Sequence, residues 1–300
     1  MRRAALVGAA LLLCGAAPHP KSPVPEIAIT IDDLPVHAPY PPGVTPLAVN
    51  RQMIAALKAA NVPATAFVNA VSVKDADTMQ ALRDWRSAGF VLGNHTWSHP
   101  HLSELTIPQF EAELTKDEPI LAKLGGKSDW RWFRYPFLDE GKDQAQRIAA
   151  RQVLARHGYR VAGVTMSFSD WAFTGAYARC KAAKNEAGSA TLERIYLESA
   201  SENLAASATY VREAYGRAVP LVLLMHVSAL SAHMMPRVIR LYRDAGYRLV
   251  SLPEAESNAA YAGYTNLALP PPQAVEELAR AKGTLATAPD HTAEINAACT

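Results

Sequence analysis

The 300-residue chain has little of several features that mark particular protein classes. It carries only three cysteines, with no Cys-x-x-Cys or Cys/His spacing typical of structural zinc. Its 30 Lys and Arg residues balance 28 Asp and Glu residues and are scattered, which argues against nucleic-acid binding. No internal repeat is visible, and beyond the N-terminus no run approaches the ~18 apolar residues that suggest a membrane span. A hydrophobic content of 49% nevertheless predicts a folded domain with a buried core.

The N-terminus is typical of an export signal followed by a linker. A basic start at residues 1–3 precedes an apolar run at 4–13 and then small residues. We therefore predict a signal peptide over residues 1–17, a Pro-rich linker over 18–25, and export to the periplasm or the exterior, with no membrane span after cleavage. The alternatives are an uncleaved anchor and lipid attachment at Cys14, which the preceding leucine disfavours.

Two cysteines, Cys180 and Cys299, remain after removal of the signal peptide. In an oxidising compartment they could form a disulfide, or both could stay free, and the sequence leaves both outcomes open. Neither is expected to take part in chemistry. The oligomeric state is likewise left open.

Short β-branched or apolar runs alternate with helical periodicity along most of the chain. Strands are predicted over residues 26–31, 64–69, 90–94, 132–135, 159–166 and 221–226, with a last one ending at 252. Helices are predicted over residues 47–60, 78–88, 107–124, 142–157 and 190–216, with another before the last strand. Seven strands separated by helices predict an α/β fold with a parallel sheet, either open or closed into a barrel. We expect one domain over residues 26–255 and a tail, 256–300, packed on its outside.

Polar residues cluster at the ends of five predicted strands. They are Asp32 and Asp33 after the first, His95 and His99 after the third, Arg134 at the fourth, Asp170 and Trp171 after the fifth, and His226 at the sixth. Each motif alone has an ordinary structural explanation, because an Asp pair often caps a turn and a single His often lies in the core. Since parallel strands bring their carboxyl ends to one edge, the five clusters together predict an active site there.

The residue types suit metal-assisted hydrolysis. His95 and His99 are four residues apart, so on a helical turn both imidazoles would face one ion. An aspartate from another strand would complete the set and leave positions open for water and substrate. Bound zinc lowers the pKa of water to about 7, and a second carboxylate could take the water proton. Arg134 and the metal would supply the positive charge that two adjacent carboxylates need.

These residues stand in four motifs that resemble those of the polysaccharide deacetylase family, the NodB-homology carbohydrate esterases. The matching segments are Thr30-Ile31-Asp32-Asp33, His95-Thr96-Trp97-Ser98-His99, Arg134-Tyr135-Pro136-Phe137 and Leu224-Met225-His226. They occur in the family's order, and the resemblance extends from residue 27 to residue 252. It implies a distorted (β/α)7 barrel of the NodB-homology type, which agrees with the seven predicted strands.

The resemblance implies base and metal-ligand roles for the first two motifs. Asp32 would be the general base. The metal ligands would be Asp33, His95 and His99. They would hold a divalent cation, Zn²⁺ foremost, with Co²⁺, Ni²⁺ or Mn²⁺ as alternatives.

The later motifs are implied to supply the acid and the substrate contacts. His226 would protonate the leaving group, and Arg134 would orient the base. The backbone N–H of Phe137 would help to form an oxyanion hole. The other implied substrate-site residues are Tyr135, Pro136, Leu224, Asp170 and Trp171.

A further family motif, Asp-x-x-Asp-Trp, is incomplete in this chain. Ser167 stands where the first aspartate is usual, and only Asp170 and Trp171 match. Either Asp170 tunes the acidic histidine, His226, or this histidine is less strongly polarised.

Other residues near the motifs have ordinary explanations. His37 and His101 are expected to lie behind the metal ligands or at the surface rather than to bind the metal themselves. The glycosylation sequon at Asn94 overlaps the metal motif and is interpreted as coincidental. Aromatic rings, among them Trp97, Phe137 and Trp171, could stack on sugars, although core packing explains any one of them equally well.

The predicted function is metal-dependent removal of N-acetyl groups from N-acetylglucosamine-containing poly- or oligosaccharides, with release of acetate. The same metal centre acting on O-acetyl sugars or on a non-sugar amide is the alternative within enzymes. A catalytically weak carbohydrate-binding relative is the alternative outside them, and only the incomplete motif encourages it. The expected partner is an acetylated amino-sugar polymer or oligomer, and neither nucleic acid nor membrane.

Overall fold

The computed structural model describes residues 24–126, 128–283 and 287–299. The predicted signal peptide, Cys14 and all but the last two linker residues lie outside the described residues. Within the described ranges, no helix combines the length and apolarity that a membrane crossing requires.

Seven strands of the described residues form one parallel sheet. They are β1 (Glu26–Leu34), β2 (Ala64–Val68), β3 (Val91–Asn94), β4 (Trp132–Phe133), β5 (Arg160–Val161), β6 (Leu221–His226) and β7 (Arg248–Val250). Their order is β5-β4-β3-β2-β1-β6, and β7 pairs with the start of β1. Residues 27–32 of β1 are all buried, as expected for a central parallel strand covered on both faces. The prediction of an α/β fold with a parallel sheet is confirmed.

Helices connect and flank these strands. Those in the described residues are α1 (Pro46–Ala59), α2 (Ala76–Ser87), α3 (Ile107–Gly125), α4 (Gln144–Arg156), α5 (Phe173–Ala182), α6 (Glu186–Tyr215), α7 (Ala229–Asp244), α8 (Leu252–Glu256), α9 (Ala262–Thr265), α10 (Val275–Ala281) and α11 (Thr292–Ala297). The sequence supplies local start signals: the side chains of Thr45, Asp75 and Thr106 accept hydrogen bonds from the first turns of α1, α2 and α3. The first four predicted helices agree with α1–α4 within two residues at each end.

The fifth predicted strand is the main departure from the expected sheet. Instead of one strand over 159–166, β5 has two residues, and Met166 forms a separate parallel bridge with Leu223 of β6. The backbone between them leaves the hydrogen-bonding pattern of the sheet, because the Gly163 N–H donates to the Glu256 carboxylate at 2.6 Å. The segment thus passes from β4 to β6 and links the two ends of the sheet. This arrangement confirms the predicted distorted (β/α)7 barrel.

Two other strand ends differ from the prediction in ways that affect the polar residues. β1 continues through Asp32 and Asp33 to Leu34, because it pairs with β6 as far as Asp32–His226 and with β2 as far as Leu34–Val68. β4 ends before Arg134, although the Arg134 N–H still donates to the carbonyl of Asn94 at the end of β3. Asp32, Asp33 and Arg134 are therefore held at strand ends by the hydrogen bonds of the sheet.

The long helical stretch predicted over 190–216 is the second member of a helix pair, α5 and α6. Helix α6 begins at the side-chain cap Asn185 and ends at Gly216, whose φ of 68° suits glycine. The tail helix α10 packs against α6, and Cys299 forms a disulfide with Cys180 on α5. Of the two outcomes left open for these cysteines, the structure contains the disulfide.

Candidate active site

A pocket of about 370 Å³ opens at the carboxyl ends of β1, β3 and β6. Nine of the predicted site residues line it: Asp32, Asp33, His95, His99, Tyr135, Phe137, Trp171, Leu224 and His226. The other three, Arg134, Pro136 and Asp170, are buried outside the lining. The pocket also contains residues that the sequence analysis did not assign to the site, namely His37, Leu138 and Ser167. The strand-end clusters thus meet in one place.

Three side chains in the pocket form a group that could hold a metal ion. This ligand group consists of Asp33, His95 and His99, whose ligand atoms all lie within 4.8 Å of one another. Asp33 Oδ1 is 3.3 Å from His99 Nε2 and 3.5 Å from His95 Nε2. It is also buried without a hydrogen-bond partner, which is costly unless a ligand satisfies it. One carboxylate and two imidazoles suit Zn²⁺ and neighbouring first-row ions, so these residues fit the implied cation.

The two histidines are not on a helical turn, and that part of the sequence interpretation is wrong. Residues 95–99 form a loop in which Thr96 and His99 have left-handed φ angles of 65° and 60°. Hydrogen bonds hold this conformation, because the Thr96 N–H donates to Asn94 Oδ1 and Asn69 Nδ2 donates to the carbonyl of His95. Asn94 is itself fully buried, so its sequon is inaccessible in the folded chain.

The protonation states of the ligand group favour cation binding. His95 Nδ1 donates to the carbonyl of Arg134 at 2.7 Å, which directs Nε2 toward Asp33. Burial and the neighbouring His95 lower the pKa of His99 to about 4, so this ring is neutral at pH 7. Burial alone would raise the pKa of Asp33, but a hydrogen bond from His37 and the nearby imidazoles hold it below its usual range. The group therefore offers the neutral imidazole of His99, the Nε2 of His95 and one carboxylate.

Asp32 forms a buried pair with Arg134. The Nη1 of Arg134 is 3.4 Å from Asp32 Oδ2, and its Nε donates to the carbonyl of Ala162 at 3.0 Å. Its Nη2 donates to Thr30 Oγ1 at 3.1 Å, so the guanidinium is fixed from three directions. Asp32 Oδ1 is buried and has no hydrogen-bond partner. Asp32 is thus charge-balanced through one oxygen and free to accept a proton through the other.

His226 forms a second buried pair, with Asp170. Its Nδ1 donates to Asp170 Oδ1 at 2.8 Å, and its backbone N–H donates to Oδ2 at 2.8 Å. Ser231 Oγ donates to the same Oδ2 at 2.8 Å. Burial alone would lower the pKa of His226, but the Asp170 carboxylate, with smaller effects of the other site carboxylates, raises it to about 9. Of the two alternatives for the incomplete motif, the geometry supports tuning by Asp170.

The rim of the pocket is apolar and unusually exposed. Phe137 is 58% exposed, Trp171 56% and Leu138 46%, and all three line the pocket. The ring of His101 stacks on that of Phe137 with centroids 3.8 Å apart, and its Nδ1 is 3.4 Å from Asp139. His101 therefore lies at the rim and outside the ligand group, as expected.

Trp97 does not line the pocket, unlike the other two aromatic residues proposed to stack on sugars. The Lys116 ammonium lies 4.5 Å from the centroid of its ring. Trp97 is therefore no longer a candidate for stacking on a sugar in this pocket, whereas Phe137 and Trp171 remain candidates.

His37 lies directly behind the ligand group, which is one of the two positions that the sequence left open for it. Its Nδ1 lies 2.8 Å from Asp33 Oδ2, and its ring centroid is 4.8 Å from that of His226. A histidine four residues after an aspartate at a strand end was the available signal. That signal was weak, because the direction of the chain after β1 decides whether the two side chains meet.

Comparisons with known proteins agree with this architecture. The family 4 carbohydrate esterase from Streptomyces lividans superposes with a TM-score of 0.50 at 20% identity, covering 77% of this chain and 95% of that one. Peptidoglycan-N-acetylmuramic acid deacetylase PdaA of Bacillus subtilis is 28% identical over 135 residues, 44% of this chain and 45% of the relative. Peptidoglycan-N-acetylglucosamine deacetylase of Bacillus cereus is 29% identical over 112 residues, 37% and 36% of the two chains. These sequence matches span less than half the length of either relative.

A family model described as polysaccharide deacetylase matches residues 19–162. That range holds the first three motifs, including the whole ligand group and the buried Asp32–Arg134 pair. The structural match shows a likeness in fold over the rest of the barrel. Over residues 19–162 the chain is therefore similar to the polysaccharide deacetylase family.

Proposed function

We propose that the protein is a metal-dependent hydrolase that removes N-acetyl groups from N-acetylglucosamine-containing poly- or oligosaccharides and releases acetate. The supporting observation is that one pocket holds the ligand group, a carboxylate oxygen ready to accept a proton and an imidazole ready to donate one. Amide hydrolysis needs such a base and acid, because water must lose a proton and the leaving amine must gain one. Binding alone would use neither.

Asp33, His95 and His99 would hold the cation. When bound, the cation supplies a Lewis acid that polarises the acetyl carbonyl and acidifies the attacking water. Zn²⁺ is our first choice because of the imidazole and carboxylate donors, with Co²⁺, Ni²⁺ or Mn²⁺ as alternatives.

Asp32 is the proposed general base. Its Oδ1 has no partner in the folded chain, whereas its Oδ2 faces Arg134. Arg134 thereby restricts the carboxylate to one orientation and balances its charge in a site that excludes most water. The water proton passes to Oδ1 as the water oxygen forms its bond to the acetyl carbon.

His226 is the proposed general acid. Asp170 occupies its Nδ1, so Nε2 carries the proton that is available to the substrate. As the carbon–nitrogen bond breaks, that proton passes to the sugar nitrogen, giving a free amine and acetate. The backbone N–H of Phe137 is proposed to stabilise the negative charge that develops on the carbonyl oxygen.

The substrate assignment rests on the rim and on the relatives. The exposed rings of Phe137 and Trp171 are suited to stack on sugar rings, and Leu224 would contact the acetyl methyl group. Two relatives are described as peptidoglycan deacetylases, which act on N-acetylated amino sugars by their names. Tyr135 and Pro136 would complete the wall beside the oxyanion site.

The experiment is acetate release from N-acetylglucosamine oligomers by the mature protein with Zn²⁺ or Co²⁺, repeated with a chelator. Metal-dependent release is expected. Acetate release only from O-acetylated xylan or from a non-sugar amide would contradict the proposed substrate class. It would leave the proposed metal-dependent hydrolysis unchanged. Absence of release from all three substrates, with metal shown to be bound, would favour a catalytically weak carbohydrate-binding relative.

We also propose that the protein is exported and cleaved near residue 17, with a catalytic domain over residues 26–255 and a tail over 256–300. The Cys180–Cys299 disulfide supports an oxidising compartment such as the periplasm or the exterior. The N-terminal sequence of the protein recovered from cells tests this proposal. A mature chain that retains residues 1–17 would contradict it.

A further inference from the structure

A hydrogen bond outside the four motifs acts on the ligand group. His37 Nδ1 lies 2.8 Å from Asp33 Oδ2, and the imidazole N–H must donate because a carboxylate oxygen accepts. Both side chains are largely buried, with 17% and 16% of their surface exposed. Water is therefore a poor substitute for this bond, and loss of the donor would leave Oδ2 without an equivalent partner.

The bond distinguishes the two oxygens of Asp33. Oδ2 is taken by His37, whereas Oδ1 has no hydrogen-bond partner and lies 3.3 Å from His99 Nε2. The carboxylate is thus oriented with one oxygen toward the imidazole nitrogens. Without His37, the carboxylate could rotate about its χ2 angle, which is a soft torsion in aspartate.

The segment that carries His37 is itself anchored. The backbone N–H of His37 donates to the Tyr40 hydroxyl at 3.0 Å. Asn50 on α1 donates to the carbonyl of Pro35 at 2.8 Å and accepts from the indole of Trp85 on α2 at 2.7 Å. Asn50 and Trp85 are fully buried. The imidazole therefore reaches Asp33 from a fixed backbone rather than from a free loop.

We propose that His37 is a positioning residue that orients Asp33 Oδ1 for metal binding. The inference rests on the proposed function, because it needs Asp33 to be a ligand. Hydrogen bonds to metal ligands typically contribute about 10–100-fold to metal affinity. His37 thus extends the metal site beyond the family motifs to a residue four positions after Asp33.

The test measures Zn²⁺ binding, with the metal alone as the probe, by calorimetry on the mature wild-type protein and two variants. His37→Leu removes the donor, and its Zn²⁺ dissociation constant is expected to rise by about 10–100-fold. His37→Asn places an amide donor near the position of Nδ1, and it is expected to recover most of the affinity. His233→Leu removes a surface imidazole that contacts Glu193, and it serves as the matched control with unchanged affinity.

The outcomes separate this inference from the proposed function. No binding of Zn²⁺ by the wild-type protein would overturn both. Binding by the wild type with equal affinity in His37→Leu would overturn the role of His37 and leave the metal site standing. Affinity as low in His37→Asn as in His37→Leu would also overturn it, since the hydrogen bond would then not be the cause. Circular dichroism checks folding, and His37→Gln, whose amide reaches the Nε2 position, replaces His37→Leu if that variant does not fold.

Discussion

The ligand group and the His226–Asp170 pair contain the same residue types but differ in completeness. In the ligand group, Asp33 Oδ1 is buried without a partner, and the backbones of Asp33 and His99 are left-handed. In the pair, Asp170 accepts three hydrogen bonds, two from His226 and one from Ser231. The first arrangement contains strained backbone and an unsatisfied hydrogen-bond acceptor, which are typical of a site that binds a ligand. In the second arrangement, the protein itself supplies hydrogen bonds to both oxygens of Asp170. This is expected if Asp170 serves only to set the protonation state of His226.

This contrast predicts that substitutions in the two regions have different signatures. A change in the ligand group should alter metal affinity, whereas a change in the pair should alter proton transfer and leave the metal bound. Asp32 lies between these cases, because it is 3.8 Å from His95 Nε2 but is held by Arg134. The predictions below run from the largest expected loss of activity to the smallest.

His95→Ala should abolish both metal binding and turnover. The substitution removes a ligand atom and also the Nδ1 bond that joins the loop to the Arg134 carbonyl. Zinc affinity measured by calorimetry should fall by more than the ~100-fold typical of an outer hydrogen bond. Zinc binding at wild-type affinity would show that the ligand group is assigned wrongly.

Asp32→Asn should keep the metal and lose turnover. The amide has nearly the shape of the carboxylate but cannot accept the water proton, so kcat should fall by about 10²–10⁴-fold. The zinc dissociation constant, measured beside that of His95→Ala, should stay close to the wild-type value. Normal kcat in this variant would mean that another group is the base.

Asp170→Asn should move the alkaline limb of the pH–rate profile to lower pH. The pKa of His226 is raised to about 9, so the acid form persists above neutral pH and is lost as the pH rises through that value. Removing the Asp170 charge should lower this pKa by about 1 unit or more. The measurement is the pH dependence of kcat at saturating metal. An alkaline limb that does not move would show that Asp170 does not set the pKa of the general acid.

The raised pKa of His226 also predicts that its interaction with Asp170 stabilises the fold to an extent that depends on pH. Because the folded pKa of His226 exceeds its ordinary value of 6.5, the contribution is fully present below pH 6.5 and is lost as the pH rises toward 9. Urea unfolding of the metal-free wild type and Asp170→Asn at several pH values tests the sign. The difference between the two should shrink as the pH increases, and a growing difference would contradict the assignment.

Cys299→Ala should change activity least. The disulfide joins residues 119 apart and lies outside the pocket lining, so its loss should lower the free energy of unfolding by about 2–4 kcal/mol and leave kcat nearly unchanged. Thermal unfolding with and without a reductant measures the effect, since only the wild type should respond to the reductant. An equal response of the variant would exclude the disulfide as the cause.

Much of the fold was predictable because the controlling patterns are local. The apolar strands and the caps at Thr45 and Thr106 involve residues within a few positions of one another. The division of the fifth strand was not predictable, since it depends on a hydrogen bond from the Gly163 N–H to Glu256, 93 positions away. The helical assignment of residues 95–99 failed for a similar reason, as a hydrogen bond from Asn69 holds the loop.

The candidate site shows the same division. The sequence by itself determined the chemical types, three carboxylates, three imidazoles and a guanidinium, and their position at strand ends. It could do so because strand periodicity and motif spacing are properties of short segments. Only the tertiary structure decided that His226 meets Asp170 across 56 residues, that Cys180 meets Cys299, and that His37 turns back onto Asp33. Those contacts depend on how the barrel closes and where each loop is anchored, and no short segment contains that information.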